Sequence, residues 1–191
     1  MIIMEKALVL IKPDGVERAL IGKVISKFED TGLKVVALKM LKPTSETVSK
    51  HYIYDEKWLL ALGTKAKSSA KEKGIELPET EIQIGERVRN QLMRELSRSP
   101  IVAMVFEGNA CNEIARKLAG ATEPRKADPS TIRGMYSSDT YALADKNDRS
   151  GRNVVHVSEN AEQAEREIKV WFEEKEINDY KRADEDVMYG K

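Results

Sequence analysis

The sequence has few cysteines and histidines: one cysteine, Cys111, and two histidines, His51 and His156, in 191 residues. A single cysteine excludes an internal disulfide framework and a metal site made of cysteines alone. Such a residue is most often a small buried apolar side chain, which is what we expect of Cys111. Two histidines leave little material for a histidine-built metal site, so we predict no metal held by protein side chains.

An excess of charge of one sign is also missing, because 32 Lys and Arg residues balance 32 Asp and Glu residues. This balance argues against a histone-like protein and against a basic tail that binds nucleic acid. Aromatic residues make up 6% of the chain, and apart from Phe106 almost none fall on predicted strands. A sheet that binds single-stranded nucleic acid needs exposed aromatics. We therefore expect no specific nucleic-acid partner.

Apolar runs are short. Runs such as residues 7–11 fall far below the roughly 20 residues that span a bilayer, so no membrane association is expected. Near the N-terminus, Glu5 and Lys6 interrupt the apolar stretch that a signal peptide would need. We expect a cytoplasmic protein, and the length predicts a single domain over residues 1–191.

Hydrophobic periodicity predicts a chain in which strands and helices alternate. Apolar and β-branched runs indicate strands over residues 7–11, 33–41, 101–106 and 153–156. Apolar positions three and four residues apart indicate helices over residues 21–28, 45–54, 110–118 and 161–171, with a further helix from Gly85. Residues 122–134 are predicted to be a loop, and 136–152 a polar, turn-rich segment. The order fits an α+β fold, a ferredoxin-like βαββαβ sandwich whose four-stranded antiparallel sheet is covered by helices.

The common phosphate-binding loops are absent from the sequence. Gly22 and Lys23 are followed by Val24 rather than by Ser or Thr, and no G-x-G-x-x-G segment follows a strand. If this chain binds nucleotides, it must hold their phosphates with cationic side chains.

The most informative segment is residues 151–158, Gly-Arg-Asn-Val-Val-His-Val-Ser. His156 ends a predicted strand, and Ser158 precedes a helix capped by Asn160, with Gln163 in the capping-box position. Glu167 lies two turns into that helix, close enough to reach back to the strand end. An imidazole oriented by a carboxylate is typical of a nucleophile or a base. By itself, however, a histidine at a strand end is more often structural.

A second group of polar residues has the types that bind phosphate, although each of them alone reads as a solvated surface residue. They are Lys12, Arg116, Thr122, Arg133 and Asn153. With the segments around them they resemble the nucleoside diphosphate kinase family. The matching motifs are Lys-Pro-Asp-Gly at 12–15, His-Tyr at 51–52, Val-Ala-Met-Val-Phe-Glu-Gly at 102–108, Gly-Ala-Thr-Glu-Pro at 120–124, Thr-Ile-Arg-Gly at 131–134, Arg-Asn-Val-Val-His-Val-Ser at 152–158 and Ala-Glu-Arg-Glu-Ile-Lys-Val-Trp-Phe at 164–172.

The resemblance implies transfer of the terminal phosphate of a nucleoside triphosphate, such as ATP or GTP, to a nucleoside diphosphate. It implies a ping-pong route through phosphohistidine, with Mg²⁺ held mainly by the nucleotide phosphates. His156 stands at the position of the phosphorylated nucleophile, Tyr52 matches a tyrosine near its imidazole, and Ser158 and Glu167 match the pair that orients it. The positions that contact phosphate and ribose are occupied by Lys12, Arg116, Thr122, Arg133 and Asn153. Family members are usually hexamers or tetramers, so a homo-oligomer is expected, a hexamer before a tetramer or dimer.

The chemistry of these residues agrees with the implied mechanism. An imidazole with an ordinary pKa of about 6.5 is largely neutral at pH 7, so it attacks phosphorus without a strong base. Lys12, Arg116 and Arg133 bring three positive charges, and Mg²⁺ adds two, against about four negative charges on a triphosphate. A non-catalytic regulatory module on the same fold is the alternative, and the complete set of residues argues against it.

The sequence also departs from the family pattern. The family has a phenylalanine soon after the His-Tyr pair, against which the base packs; here Trp58 either takes that role, with Leu92 as a second apolar wall, or anchors the core or an interface. The resemblance is interrupted at about residues 64–90 and 136–150. The first insertion is rich in Lys and Glu, so we expect it to be solvated, without a core of its own. It is predicted to contain a helix over 65–73 that stops at Gly74, beside the nucleotide entrance.

Overall fold

The computed structural model describes residues 4–71 and 74–190. The described residues form one antiparallel sheet in the order β2-β3-β1-β4. Its strands are β1 (Met4–Ile11), β2 (Lys34–Leu41), β3 (Ile101–Asn109) and β4 (Val155–Val157). This is the predicted ferredoxin-like sandwich, so the predicted fold class is confirmed.

Helices cover both faces of the sheet and fill the connections between the strands. They are α1 (Pro13–Glu17), α2 (Ile21–Glu29), α3 (Ser45–His51), α4 (Glu56–Lys71), α5 (Glu81–Ser97), α6 (Cys111–Ala119), α7 (Ile132–Tyr136), α8 (Tyr141–Lys146), α9 (Ala161–Trp171) and α10 (Glu185–Tyr189). Short 3-10 turns lie at Pro124–Lys126 and Glu174–Glu176. Among the described helices, none combines the length and the hydrophobicity that crossing a membrane requires.

The unbroken apolar run of β1 is explained by burial on both faces of the sheet. Val9 and Ile11 point into a core shared with α2 and α6, whereas Leu8 and Leu10 point into a core shared with α3, α5 and α9. Cys111 belongs to the first core, with its thiol donating to the carbonyl of Phe106 at 3.4 Å. Burial raises the pKa of this thiol to about 12. The prediction of a buried apolar role for Cys111 is confirmed.

Two glycines let helices α4 and α5 pack with their backbones in contact. A Cβ on Gly63 would lie 1.7 Å from the carbonyl oxygen of Glu81, and a Cβ on Gly85 would lie 2.1 Å from that of Leu59. No side chain fits at either position unless the helices separate. Helices α4 and α5 together form one wall of the cavity described below, so their close packing fixes the position of that wall.

The structure corrects the prediction for residues 64–90. The predicted helix over 65–73 is the end of α4, which begins at Glu56, and its residues 72 and 73 lie outside the described ranges. Gly74 does follow the helix, with φ of +71° and its N–H donating to the carbonyl of Lys71. Helix α5 begins at Glu81 rather than at Gly85, because Thr80 and Gln83 form a capping box. Ile84 is fully buried, so the segment is not a solvated excursion throughout.

Other boundaries also differ from the prediction. The last strand begins at Val155 rather than at residue 153, because Val154 has φ of +70° and a tight turn joins the N–H of Val155 to the carbonyl of Asn153. The predicted loop 122–134 contains a 3-10 turn and most of α7, and the turn-rich 136–152 contains α8. Thr131 and Thr140 cap these two helices by accepting backbone N–H groups. Helix α3 ends at His51 rather than at residue 54.

Candidate active site

A cavity of about 1050 Å³ lies where the chain leaves β1 and enters β4. The structure brings every predicted site residue except Ser158 to its lining: Lys12, Tyr52, Trp58, Leu92, Arg116, Thr122, Arg133, Asn153, His156 and Glu167. Ser158 is fully buried behind the wall. Residues far apart in the chain therefore meet as the sequence analysis predicts.

His156, the central residue of β4, is bonded to the carboxylate of Glu167 on α9. Its Nε2 lies 2.9 Å from Oε2 of Glu167, and the hydroxyl of Ser158 donates to the same oxygen at 2.7 Å. The side-chain amide of Gln163, one turn earlier on α9, donates to Oε1 at 2.8 Å. The carboxylate thus fixes the ring, and Nδ1 is the nitrogen of His156 without a partner among the described residues.

Glu167 remains ionised although it is 1% exposed. Burial alone would raise the pKa of its carboxyl, but the electrostatic influence of His156 and its hydrogen bond, with His51 and Ser158, lower that pKa to about 2. A buried carboxylate held in this way stabilises positive charge on the neighbouring imidazole.

The second histidine, His51, lies buried behind His156 and was not predicted as a site residue. The two rings meet edge to face, with centroids 4.6 Å apart and planes at 82°. The indole N–H of Trp171 donates to Nδ1 of His51 at 3.2 Å, so this nitrogen is unprotonated. Burial first, and then the proximity of His156, lower the pKa of His51 to about 3. His51 is therefore neutral, and it packs the inner face of the site. The only sequence signal for it was the His-Tyr motif.

His51, His156 and Glu167 offer ligand atoms within 4.8 Å of one another, a set of types that binds zinc in other proteins. Here two of the possible ligand atoms already accept hydrogen bonds. Nδ1 of His51 accepts from Trp171, and Oε2 of Glu167 accepts from Ser158 and faces Nε2 of His156. We interpret the set as a hydrogen-bonded pair, His156 and Glu167, with the ring of His51 packed edge to face against His156. A site without protein ligands to a metal stays a prediction.

Lys12 follows β1 and is held against the segment that leads into β4. Its Nζ donates to the carbonyl of Gly151 at 2.9 Å and to Oδ1 of Asn153 at 3.0 Å. The amide of Asn153 in turn donates to the carbonyl of Thr122 at 2.8 Å. Burial lowers the pKa of the Lys12 ammonium. The ammonium is fixed by neutral acceptors, so its charge stays available to an anion in the cavity.

Arg133, on α7, is anchored in the same manner. Its two terminal nitrogens donate to the carbonyls of Gly120 at 2.6 Å and Val155 at 3.0 Å. Burial lowers the pKa of the guanidinium to about 10, so the group is charged at pH 7. Arg116 and Thr122 are more exposed and lie nearer the mouth, where Arg116 donates to the carbonyl of Glu159 at 3.2 Å.

Trp58 lies at the start of α4 and stacks on Tyr52, with ring centroids 6.2 Å apart and planes at 13°. Both rings line the cavity together with Leu92 of α5. Trp58 and Leu92 also pack against the second core. Trp58 therefore has the contacts of a core residue and a position from which it meets a ligand, so the two predicted alternatives are not exclusive.

Asp139 holds the loop before β4 in place, although no motif in the sequence pointed to it. Its carboxylate accepts from Arg149 at 2.6 and 2.9 Å and from the backbone N–H of Arg152 at 2.7 Å. The loop so fixed presents Gly151 and Asn153 to Lys12. The insertion near 136–150 thus contributes to the position of the Lys12 ammonium.

A family model described as nucleoside diphosphate kinase matches residues 5–58 and 81–177. A relative from Pyrobaculum aerophilum, named nucleoside diphosphate kinase, is 43% identical over 180 residues, which cover 91% of this chain and 98% of the relative. The chain belongs to the nucleoside diphosphate kinase family.

Solved structures of nucleoside diphosphate kinases agree with this membership. An NDP kinase from Pyrobaculum aerophilum superposes with a TM-score of 0.90 at 40% identity, covering 93% of this chain and all of that one. A transition-state mimic of the Borrelia burgdorferi enzyme with bound vanadate and ADP gives a TM-score of 0.79 at 39% identity, with 96% of each chain covered. The predicted family is confirmed, and with it an enzyme that transfers phosphate between nucleotides.

His51 is expected to make this nucleoside diphosphate kinase sensitive to mild acid. Its pKa is about 3 in the folded state and about 6.5 in the unfolded chain, so the unfolded state binds more protons between these values and stability falls as pH decreases through that window. We expect the free energy of unfolding to lose about 2 kcal/mol between pH 7.5 and 5.0 through this residue. His51→Gln, which keeps an acceptor for Trp171, removes that loss.

Urea unfolding of both proteins at pH 7.5 and 5.0, at one protein concentration, measures the effect. Stopping at pH 5.0 keeps Glu167 largely out of the comparison, because its effect on stability is lost only between its unfolded pKa of 4.5 and its folded pKa of about 2. An equal loss of stability in wild type and His51→Gln would contradict the prediction.

Proposed function

We propose that the protein transfers the terminal phosphate of a nucleoside triphosphate to a nucleoside diphosphate through a phosphorylated His156. The observation that carries the proposal is the bond from Nε2 of His156 to the buried, ionised Glu167 at 2.9 Å. It leaves Nδ1 of the same ring as the attacking atom. Fixed cations line the same cavity, as phosphoryl transfer requires.

In the first half-reaction the lone pair of Nδ1 forms a bond to the γ-phosphorus. The bond from that phosphorus to the oxygen bridging the β- and γ-phosphates breaks, and the nucleoside diphosphate leaves. The ring then carries a positive charge, which Glu167 offsets through Nε2–H. In the second half-reaction a terminal oxygen of another nucleoside diphosphate attacks the phosphorus, the P–N bond breaks, and neutral His156 is restored.

Lys12 and Arg133 act on the transferring phosphate. Both are anchored to the backbone around β4, so little reorganisation is needed when charge is redistributed over the equatorial oxygens. Arg116, Thr122 and Asn153 contact the other phosphates and the ribose. Lys12 and Arg133 have no lone pair to offer a metal, so a Mg²⁺ ion would be held mainly by the phosphate oxygens of the nucleotide. Such an ion supplies two further positive charges to the bound triphosphate.

The nucleobase packs at the apolar end of the cavity, between Trp58 and Leu92. The support for this placement is that both side chains line the cavity and that Tyr52 backs the Trp58 ring. Stacking on an indole is tolerant of base identity, because every base has a π face. Several nucleoside diphosphates and triphosphates, ATP and GTP among them, are therefore accepted.

We also propose a cytoplasmic homo-oligomer, with a hexamer favoured over a tetramer or dimer. The family resemblance supports assembly, and so do Leu38 and Met40, which are 51% and 58% exposed on β2 at the edge of the sheet. Exposed apolar side chains on an edge strand favour contact with another chain. A single buried cysteine and nucleotide substrates suit the cytoplasm.

Incubation with γ-labelled ATP and Mg²⁺ tests the proposed reaction. Label is expected on the protein, stable in base and lost in acid, and a nucleoside diphosphate added after removal of ATP should take up the label in the absence of any donor. Acid-stable label, or transfer only when both nucleotides are present together, would contradict a phosphohistidine intermediate.

A further inference from the structure

Helix α4 carries a lysine, Lys65, on the cavity wall. Trp58 and Lys65 are seven residues apart, which is about two turns and about 10 Å along the helix, so they lie on one face. Both line the cavity, with Leu92 of α5 beside them. The family model leaves out residues 59–80, so Lys65 belongs to a part of this chain that the model does not match.

The ammonium of Lys65 is free to meet a ligand. Within residues 4–71 and 74–190 it has no hydrogen-bond or ion-pair partner. Its neighbour Lys67, on another face of α4, is engaged, at 3.2 Å from the carbonyl of Glu79 and 3.3 Å from Glu81. Lys65 is exposed to solvent at the apolar end of the cavity, so its ammonium can turn to a bound ligand without breaking a contact within the described residues.

The proposed function gives the cavity a direction, and the inference depends on it. Phosphates lie at the end with His156, Lys12 and Arg133, and the base lies at the end with Trp58 and Leu92. Lys65 therefore faces the edge of the base. An ammonium donates hydrogen bonds and accepts none, so it pairs with the O6 and N7 acceptors of guanine or the O4 of uracil. Adenine shares the N7 acceptor, but at the exocyclic position adenine and cytosine present an amino group, itself a donor, so the exocyclic group alone makes the difference.

We propose that Lys65 is a specificity-determining residue that favours nucleotides of oxo bases, guanine and uracil, over those of amino bases, adenine and cytosine. The indole of Trp58 stacks on any base, and one hydrogen bond from Lys65 adds a preference for the oxo bases. A single bond in a solvent-accessible site is expected to change affinity by about three- to tenfold.

Calorimetric titration of the full-length protein with GDP, UDP, ADP and CDP, each with MgCl₂, tests the proposal. Wild type is expected to bind GDP about three- to tenfold more tightly than ADP, and UDP more tightly than CDP by the same ratio. In Lys65→Met the ratio falls towards one, mainly through weaker binding of the oxo bases, whereas Lys65→Arg keeps the preference. The matched control is Lys71→Met, on the exposed end of the same helix and away from the cavity, which leaves the ratio unchanged.

Two results would overturn the role of Lys65: equal affinities in wild type, or an unchanged ratio in Lys65→Met. An unchanged ratio that comes with an equal loss for all four nucleotides would place the ammonium on the phosphates or ribose. Phosphate transfer is measured separately. A wild-type protein that binds these nucleotides but transfers no phosphate would overturn the proposed function, and the affinity ratio would still decide on Lys65.

Discussion

His156→Ala is expected to abolish both labelling by γ-labelled ATP and turnover, with kcat/KM lower by about 10⁴-fold or more. The reason is that Nδ1 of His156 is the attacking atom of the proposed reaction. His51 cannot replace it, because His51 is buried, accepts from Trp171 through Nδ1 and packs behind the site. Mass spectrometry of the labelled protein and a coupled assay measure the two losses.

The fold should survive this substitution, and that makes the result interpretable. His156 is partly exposed in a short strand, and Glu167 keeps its bonds to Ser158 and Gln163 when the imidazole is removed. The control is His51→Gln, which should still be labelled at His156. Label that persists in His156→Ala, or that moves to His51, would contradict the assignment.

The strands were predictable because a strand buried on both faces has apolar residues at consecutive positions. Leu8 and Leu10 fill one core while Val9 and Ile11 fill the other, so β1 is apolar at every position. The same holds for Ile101 to Phe106 in β3. A strand end that depends on a single dihedral was not predictable: Val154 takes φ of +70°, although a β-branched residue rarely does, because Asp14 accepts its N–H at 2.9 Å.

Helices α4 and α5 show why the composition of residues 64–90 gave a wrong prediction of their packing. Lysine-rich composition predicts solvation, and much of α4 is exposed. What decides the packing is the contact of Gly63 with Glu81 and of Gly85 with Leu59. These contacts join positions from different helices. Glycines that suggest the end of an element in the sequence are therefore points of close helix packing in the structure.

The site was predictable where its chemistry lies in short motifs and was missed where it depends on distant partners. Glu167 lies 11 residues after His156, and a strand followed by a helix brings them together. Burial keeps His51 neutral, and its buried ring accepts from Trp171, which lies 120 residues later. Asp139 acts only once Arg149 and Arg152 fold back onto it. The spacing of these residues along the chain predicts neither the contact of His51 nor that of Asp139.

Arg133→Met should lower kcat by about 10²–10³-fold while the KM for nucleotides changes by only a few-fold. A cation that is anchored in advance stabilises the charge distribution of the transition state more than that of the bound substrate, and removing one such donor has a cost of this size. Arg133 is anchored through Gly120 and Val155, and Val155 is the residue before His156. The methionine keeps the unbranched apolar stem of the side chain and removes the guanidinium.

Two comparisons separate charge from structure. Arg133→Lys retains the charge but not both anchoring bonds, so its kcat should lie between those of wild type and Arg133→Met. Arg125→Met removes an exposed arginine of the neighbouring 3-10 turn that does not line the cavity, and its kcat should match wild type. Pre-steady-state labelling of His156 measures the chemical step directly, and thermal unfolding of each variant checks the fold. A normal kcat with a raised KM in Arg133→Met would show that the guanidinium binds ground state and transition state equally, because only interactions that strengthen in the transition state change kcat.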